Sequence, residues 1–378
     1  MFVDIYAIQN VPPCDINRDD TGTPKTAIYG GYLRSRVSSQ AWKHAMREEF
    51  SKHVDGSQLG VRSKHAVALI ADEIANQRPE LAELAETMAS NVLKITGVKT
   101  EESRRKGQDQ GTTVTQYLIF IARSEISKLA SIAIDAHDRG EDLAKPDKDL
   151  KKKVSNAFHG VQALDIALFG RMLADAPDLN TDASAQVAHA ISVDKISQEF
   201  DYFTAVDDIA AEDNAGAAML DTIGFNSSTL YRYATVNLES LEQQLGGAKA
   251  ASAAIRAFLD VFSTSMPSGK QNTFANRTLP SAVMVALRKD QPINGVSAFE
   301  DPIAAKEGTS ISRQAEDRLA KTLENFAAVY GDAPAAAWWT AVDEGTEALQ
   351  NFGTECSFPD MLDQVEASVR NVLAGGEE

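Results

Sequence analysis

The chain has 378 residues, 43% of them hydrophobic and 24% charged, which is typical of a globular protein with one large or two ordinary domains. Its formal net charge is −17, and this acidity argues against a general coat for duplex DNA, because such a protein needs a broadly positive surface. The two cysteines, Cys14 and Cys356, lie far apart without a CxxC motif or suitably spaced histidines, so we expect no disulfide framework, no metal site and no cofactor.

The start of the chain runs directly into a strand-like pattern, without the basic and apolar regions of a signal peptide. No stretch approaches the roughly 18 consecutive apolar residues of a membrane helix. We therefore expect a cytoplasmic protein with no membrane contact, in which both cysteines are reduced thiols.

The first fifty residues have the pattern of strands followed by a helix. Residues 2–9 alternate as a half-buried strand, and a turn cluster at 21–24 leads into a hairpin that ends at Val37. The Gly30-Gly31 pair in this hairpin indicates a close approach of the backbone to a ligand. A helix follows at residues 40–50, and this β-β-α order is compatible with a ferredoxin-like or RRM-like core.

The stretch from residue 17 to residue 47 is basic although the chain is acidic. It holds two carboxylates, Asp19 and Asp20, and six cations: Arg18, Lys25, Arg34, Arg36, Lys43 and Arg47. A local charge of +4 in a chain of −17 is the footprint of a site for an anionic polymer.

One face of the predicted helix carries hydrogen-bond donors. With Ser38 or Ser39 as the N-cap, an arc of about 100° holds four polar residues: Gln40, Lys43, His44 and Arg47. The free N–H groups, the dipole and the cations of such a helix N-terminus all favour phosphate. A solvated basic helix after an ordinary hairpin explains the same pattern, and periodicity does not decide between the two.

Residues 56–185 have the apolar spacing of helices and read as a helical insertion. Two polar connections within it, at 99–110 and 140–153, are basic. Such runs are usually a solvated face. The functional alternative is a contact to DNA phosphates that does not depend on sequence, made by four lysines: Lys148, Lys151, Lys152 and Lys153.

Residues 187–193 alternate like a strand, and three aromatic residues follow within four positions, at Phe200, Tyr202 and Phe203. Residues 182–221 hold nine carboxylates and one lysine, so phosphate is not the target of this segment. An aromatic tip on a long hairpin can instead stack between bases, at about 1–3 kcal/mol per base. The alternative is that these rings cover a local hydrophobic patch.

Two later strand-like runs, at 230–238 and 281–287, are expected to complete the sheet that begins at residue 2. Between them, Lys270 lies in a glycine-containing loop and is a weaker phosphate candidate. Residues 296–378 carry a net charge of −11 and apolar stripes with helical spacing. We interpret this part as structural cover and a subunit interface; of the adjacent Trp338-Trp339 pair, at most one ring can face the same core.

Four blocks of sequence carry a family signature in their order and spacing. They are NRDD at 17–20 with Lys25, AIYGG at 27–31 and RVSSQ at 36–40, extended by Lys43 and AMR at 45–47; LDIALFGRM at 164–172; AHAI at 188–191 with DYFTAVDD at 201–208; and YRYA at 231–234 with Asn237, Leu238 and GGA at 246–248. Together they resemble the CasC family, the crRNA-binding backbone subunits of Cascade, the type I-E CRISPR interference complex.

This resemblance implies an α+β fold. An RRM-like (ferredoxin-like) palm would comprise residues 1–55 and 227–295, with a helical finger domain inserted at 56–185 and a β-hairpin thumb at 186–226. An acidic helical C-terminal part, residues 296–378, would pack on the palm.

The resemblance also implies that the chain polymerises along crRNA, kinks it periodically with the thumb and presents the spacer for pairing with target DNA in antiviral defence. Tyr202 and Phe203 would form the wedge, with Met172 beside the displaced base. Tyr202 stands where a family member has Trp, and His44 stands where Arg can occur, which makes its contribution pH-dependent. The implied RNA-binding residues are Arg18, Lys25, Arg36, Ser38, Ser39, Gln40, Lys43, His44, Arg47, Met172, Tyr202, Phe203 and Lys270.

The implied partners are crRNA, target DNA paired with the guide, further copies of this chain, and the other Cascade subunits: the large subunit, the small subunits, a backbone-capping subunit and the crRNA-processing subunit.

No catalytic residues are predicted, because the sequence shows no nucleophile with its base and no metal-ligand spacing. One alternative is a metal-dependent endoribonuclease of a related CRISPR effector that uses Asp19 or Asp20. We expect these carboxylates instead to order their loop by pairing with Arg18. A helical adaptor without a nucleic-acid role would leave the donors between residues 30 and 47 unexplained.

Overall fold

The structure, a computed structural model, describes residues 1–103, 110–205 and 219–375, without the side chains of residues 204, 205, 219 and 220. The chain forms two compact units. Unit 1 comprises Met1–Phe50, Gln186–Asn237 and Ile255–Val369. Unit 2 comprises Ser51–Ala185, Leu238–Ala254 and the residues from Arg370 on. Each unit is therefore assembled from segments that are discontinuous in sequence.

The described residues contain both strands and helices. The strands are β1 (Phe2–Cys14), β2 (Thr26–Tyr29), β3 (Tyr32–Val37), β4 (Gly60–Ser63), β5 (Thr100–Glu102), β6 (Thr113–Thr115), β7 (Ile119–Ala122), β8 (Ala185–Val187), β9 (Ala190–Ser192), β10 (Glu199–Ala205), β11 (Met219–Asn237), β12 (Ala282–Arg288), β13 (Ala336–Ala341) and β14 (Thr354–Glu355). The helices are α1 (Ser39–Phe50), α2 (Ala66–Gln77), α3 (Ala85–Ile95), α4 (Arg123–Asp138), α5 (Lys148–Ala157), α6 (Leu164–Phe169), α7 (Leu238–Leu245), α8 (Ala248–Thr264), α9 (Gln271–Phe274), α10 (Ile311–Tyr330), α11 (Glu347–Phe352) and α12 (Phe358–Leu373). The predicted α+β class is confirmed.

The main sheet has the strand order β14-β13-β12-β1-β11-β9-β3-β2, and β8 and β10 also pair with β11. β1 lies between β11 and β12 and is antiparallel to both. Along the length of β11, residues 226–237 pair with β1 and residues 219–225 pair with β10. The β10–β11 pair is the hairpin that the sequence analysis assigns to the thumb.

β1 is buried on both faces from Val3 to Gln9, whereas its alternating sequence predicts a half-buried strand. On one face, Tyr6 and Tyr231 share a core with Leu319 of α10. On the other face, the Arg232 guanidinium of β11 lies 3.7 Å from the ring centroid of Trp42 in α1. Layers on both sides of a strand remove the solvent-facing side that alternation would otherwise mark.

The Gly30-Gly31 pair forms the two-residue turn between β2 and β3, with positive φ at both positions. A Cβ at Gly30 would overlap the carbonyl oxygen of Glu300. The sequence predicted a close approach of this turn to a ligand. The structure shows instead that Gly30 permits a close approach to another part of unit 1.

Residues 296–375 are not wholly helical, because β13 joins β12 in an antiparallel pair. Trp338 and Trp339 are neighbours on this strand, so their side chains point to opposite faces. Both are buried, at 7% and 1% exposed. A strand can therefore bury both rings, one on each face, whereas a single apolar helix face could bury only one.

Unit 2 has its own core, formed mainly by α2, α3, α4 and α5. β4 pairs with β7, and β5 pairs with β6. A buried ion pair joins Arg171 Nη1 to both carboxylate oxygens of Glu125, at 2.8 and 2.7 Å. Within the described ranges, the structure contains no helix long and apolar enough to cross a membrane.

Candidate nucleic-acid interface

The loop between β1 and β2 is fastened to the start of α1. The side-chain Oδ1 of Asn17 accepts a hydrogen bond from the N–H of Ser38 at 2.8 Å, and its carbonyl accepts from the N–H of Lys25 at 2.8 Å. The Lys25 carbonyl in turn accepts from the N–H of Arg36 at 3.0 Å. These bonds hold Arg18, Lys25 and Arg36 close to the helix N-terminus.

α1 presents the predicted donors. Ser38 is the N-cap, since its Oγ accepts from the N–H of Ala41 at 3.3 Å. The buried residues of the helix are Trp42, Ala45, Met46 and Phe50. Burial lowers the pKa of Lys43, which lies half-buried on the other side of the helix. Gln40 and His44 are exposed, Ser39 and Arg47 are half-buried, and His44 Nε2 lies 3.5 Å from Glu48 Oε1.

Arg34 does not contribute to this surface, although the sequence count includes it. Its side chain is 0% exposed. The guanidinium donates to five backbone carbonyls, those of Tyr29, Ser192, Val193, Phe299 and Glu300. Arg34 therefore fastens β3 to neighbouring segments and does not belong to the set of cations that could meet an anionic ligand.

The Asp19 carboxylate closes the turn that follows it. It accepts from the backbone N–H and the hydroxyl of Thr21, at 2.9 and 2.7 Å, and from those of Thr23, at 3.1 and 3.0 Å. These bonds, with the Thr21 hydroxyl first, lower the pKa of Asp19. The carboxylate orders the loop as expected, but through threonines and not through Arg18. Among the described residues, no group of three or more His, Cys, Asp or Glu side chains is placed to hold a metal ion.

Lys270 lies near Arg18, because the loop before α9 packs on the end of β1. A Cβ at Gly269 would lie 2.4 Å from the carbonyl oxygen of Ile16. Both Lys270 and Arg18 act on the carboxyl group of Asp15, which is 0% exposed. Burial raises the pKa of Asp15 to about 6, and the two cations oppose this rise. The structure thus brings Lys270 to the same surface as the loop at 17–25.

The thumb hairpin carries its aromatic residues on two faces. Phe200 and Tyr202 are two positions apart in β10 and share one face, whereas Phe203 points to the other. Phe200 and Tyr202 are 61% and 63% exposed, and Phe203 is half-buried. The predicted wedge of Tyr202 and Phe203 therefore cannot place both rings against the same side of a base.

The Phe200 face is the one that meets the basic loop. Phe200 lies opposite Gly224 in the register, and a Cβ at Gly224 would lie 3.3 Å from Thr23 Cγ2 and from Pro24 Cδ. Directly opposed residues of an antiparallel pair project to the same face. Phe200 was not among the predicted wedge residues, although the two-residue period of a strand places it on the same face as Tyr202. The remainder of the thumb segment, residues 206–218, lies outside the described residues.

In unit 2, Met172 is 83% exposed and directly follows Arg171, which the ion pair with Glu125 holds in place. The four lysines proposed for DNA lie on the exposed face of α5, opposite the buried Leu150 and Val154. The Asp147 carboxylate caps this helix, accepting from the N–H of Leu150 at 2.8 Å. In the other basic connection, residues 104–109 lie outside the described ranges.

Comparisons with known proteins give a consistent result. The family model described as CT1975-like protein matches residues 3–364. A chain from a structure titled "CRISPR RNA-guided surveillance complex, pre-nicking" is 34% identical, with a TM-score of 0.82, and the match covers 98% of this chain and 100% of that chain. A chain from a "CRISPR RNA-guided surveillance complex" is 30% identical, with a TM-score of 0.73 and coverage of 97% and 100%. The search of curated proteins finds no match.

Proposed function

Because the chain belongs to the family of CT1975-like proteins, we propose that it is a crRNA-binding backbone subunit of a Cascade-type surveillance complex, and more specifically of a type I-E complex. The membership agrees with the CasC resemblance of the sequence. Several copies polymerise along one guide RNA, hold its phosphate backbone and present its bases to target DNA. Sequence specificity then comes from base pairing, while the protein reads charge and shape.

The observation that carries this proposal is the fastening of the basic loop to the N-terminus of α1. Asn17 bonds to both Ser38 and Lys25, which fixes side chains from separate segments on one surface. A ligand with one isolated phosphate would need fewer cations. A row of cations that continues from Arg18 and Lys25 to Lys43 and Arg47 suits a polyanion, because successive phosphates can each meet a donor.

The thumb supplies stacking and not charge. Phe200 and Tyr202 offer an exposed aromatic face beside the loop at 21–24, where a base next to a bound phosphate can stack. Phe203 lies on the opposite face and can contact a base on the other side of the hairpin. This arrangement kinks the RNA by placing one strand pair between consecutive bases. In this proposal, Met172 packs beside the displaced base.

The proposal extends to the domains and partners. An RRM-like palm is supported by the antiparallel neighbours of β1, β11 on one side and β12 on the other, although β9 separates β11 from β3. The lysines of α5 contact target DNA through its phosphates. Other copies of this chain, the large and small subunits, a capping subunit and the crRNA-processing subunit complete the complex.

The test of the proposed function is to purify the chain from cells that express the other subunits and a CRISPR array. We expect short RNA of uniform length with a constant flanking sequence to copurify. Protein that elutes free of nucleic acid under these conditions would contradict the proposal.

We propose further that the chain is not an enzyme. The Asp19 carboxylate is engaged by Thr21 and Thr23, so coordinating a metal ion would require it to give up these bonds. The assembled protein should leave labelled complementary RNA intact in Mg²⁺ or Mn²⁺. Metal-dependent cleavage that disappears in Asp19→Ala, but persists in Asp343→Ala in the C-terminal part, would establish the endoribonuclease instead.

A further inference from the structure

Three basic groups from separate segments meet beside the fastened loop. Arg36 of β3 places Nη1 3.3 Å from Nδ1 of His189, which lies between β8 and β9. The Arg36 Nε donates to the carbonyl of Thr26 at 3.0 Å, which fixes the guanidinium in this position. Lys25, whose carbonyl accepts from the N–H of Arg36, is close enough to act on the His189 ring.

These groups have no counter-charge in the part of the chain that the structure describes. Lys25, Arg36 and His189 take part in no ion pair there. His189 is exposed, and the other two are half-exposed, so the cluster is open to a ligand. Burial, Arg36 and Lys25, in that order, lower the pKa of His189, and no carboxylate opposes them. A fixed guanidinium and a neighbouring lysine beside an imidazole give a positive local potential that favours an anionic group.

The hydrogen bond also determines which proton His189 carries. Arginine can only donate, so Nδ1 of His189 accepts from Arg36 and the proton of the neutral ring lies on Nε2. Nε2–H is then a donor for a further acceptor. We propose that Lys25, Arg36 and His189 form a subsite for one phosphodiester group of the bound RNA, in which His189 donates to a phosphate oxygen. This assignment of His189 rests on the proposed function and adds an RNA-binding residue that was not among those predicted from the sequence.

The subsite makes RNA binding proton-linked. In the free protein the charged groups that face His189 are Arg36 from β3 and Lys25 from the segment before β2, and both disfavour the imidazolium. The neighbouring strand β11 contributes the carbonyl of Tyr233, which accepts from the N–H of Ala188. A phosphate bound at Nε2–H favours the imidazolium and raises the pKa of His189. The added proton lies on Nδ1, so Arg36 Nη1 releases this atom and donates to the phosphate instead, and the complex binds a proton that the free protein lacks. Affinity therefore rises as pH falls, by at most about tenfold per pH unit for one linked proton.

The test measures the affinity of the full chain for a short single-stranded RNA by fluorescence anisotropy between pH 5.5 and 8.5 at constant ionic strength. We expect the affinity of the wild type to rise as pH falls, with a smaller rise in His189→Gln and a wild-type rise in His137→Gln, which changes an exposed histidine of unit 2. His189→Lys should bind at least as tightly as the wild type at pH 8.5 and vary less with pH.

The possible outcomes distinguish a failure of the proposed subsite from a failure of the proposed function. Equal pH dependence in His189→Gln and the wild type would overturn the subsite while leaving RNA binding established. A wild type that binds no RNA at any pH would overturn both. Thermal unfolding of each variant at pH 8.5 checks that the exposed position has not altered the fold, and His189→Lys provides the decisive comparison where His189→Gln unfolds.

Discussion

Asp15 is a buried carboxylate that lies next to two cations of the candidate interface, Arg18 and Lys270. Its carboxylate is fully buried, and neither oxygen accepts a hydrogen bond from the described residues. Burial raises its pKa to about 6 from an ordinary value near 3.8, even though Arg18 and Lys270 favour the charged form. A buried charge without hydrogen bonds costs stability, and the nearby cations offset only part of this cost.

We predict that Asp15→Asn stabilises the protein at neutral pH. The folded state holds the Asp15 proton more tightly than the unfolded chain, so the wild type gains stability from this group as pH falls through about 6. Asn removes the charge, and the variant should exceed the wild type by up to about 3 kcal/mol at pH 7.5 and lose this advantage near pH 4. Denaturant unfolding of both proteins at the two pH values measures the difference.

Asp165→Asn is the matched control for this prediction. Asp165 is also buried, but its Oδ1 accepts from the N–H of Gly60 at 2.8 Å. Its replacement should therefore lower the free energy of unfolding, whereas Asp15→Asn should raise it. A loss of stability in Asp15→Asn at pH 7.5 would show that the carboxylate has a stabilising partner.

At the scale of single residues, the sequence predicted which donors share one helix face but not which cations are buried. The donors of α1 and the basic loop were identified because charge and helical period are visible in sequence. Arg34 was indistinguishable from Arg36, since only the packed fold determines which guanidinium meets buried carbonyls. His189 has no charge signal, and its proposed role depends on a neighbour 153 positions away.

At the scale of elements, α1 was predictable and the thumb was less so. The apolar residues Trp42, Ala45 and Met46 define one helix face, so the opposite face follows directly. In β10, the wedge of Tyr202 and Phe203 was implied by the family resemblance and not by the strand pattern. The strand period instead groups Phe200 with Tyr202. β13 was missed because an alanine-rich run with two tryptophans alternates weakly, and its pairing with β12 is a long-range interaction.

We predict that the two faces of the thumb act separately. Phe200→Ala with Tyr202→Ala should remove the stacking of a base placed beside the basic loop, because both side chains project to the face of Thr23 and Pro24. Fluorescence of 2-aminopurine placed along the RNA reports this, since unstacking increases its emission. Phe203→Ala should affect a different nucleotide position. The same nucleotide responding to both variants would argue against two separate faces.

We predict that the cations of α1 each neutralise RNA phosphate. Lys43→Ala with Arg47→Ala should weaken binding to any RNA sequence and reduce the salt slope by about 1.4, the value for two contacts to a single strand. Binding measured from 50 to 300 mM salt gives the slope. Lys289→Ala with Lys321→Ala, which removes two exposed lysines elsewhere in unit 1, should leave it unchanged. An unaltered slope in the α1 variant would remove these side chains from the site.

At the scale of the whole molecule, composition predicted a globular protein but not the assembly of the chain into units. The main sheet takes strands from residues 2 to 355, and unit 2 interrupts unit 1 in sequence. Local patterns place each strand but not its neighbours, because pairing such as that of β1 with β12 joins residues 274 to 286 positions apart. The four sequence blocks supplied this long-range information through the family.

The distribution of charge along the chain predicts how copies assemble. Without the buried Arg34, residues 17–47 carry +3, whereas residues 296–378 carry −11, so one copy offers the next two oppositely charged segments and not one self-complementary surface. A contact between different surfaces is heterologous, and such contacts add further copies until a cap or the end of the RNA stops the growth.

We therefore predict that the number of copies bound to one RNA increases in equal steps with RNA length. Native mass spectrometry of complexes with RNAs of one, two and three times a minimal length measures this number. The Lys43→Ala, Arg47→Ala variant should fail to form the longer complexes at moderate salt, because each copy loses two phosphate contacts. The same stoichiometry at all lengths would contradict polymerisation and indicate a closed oligomer.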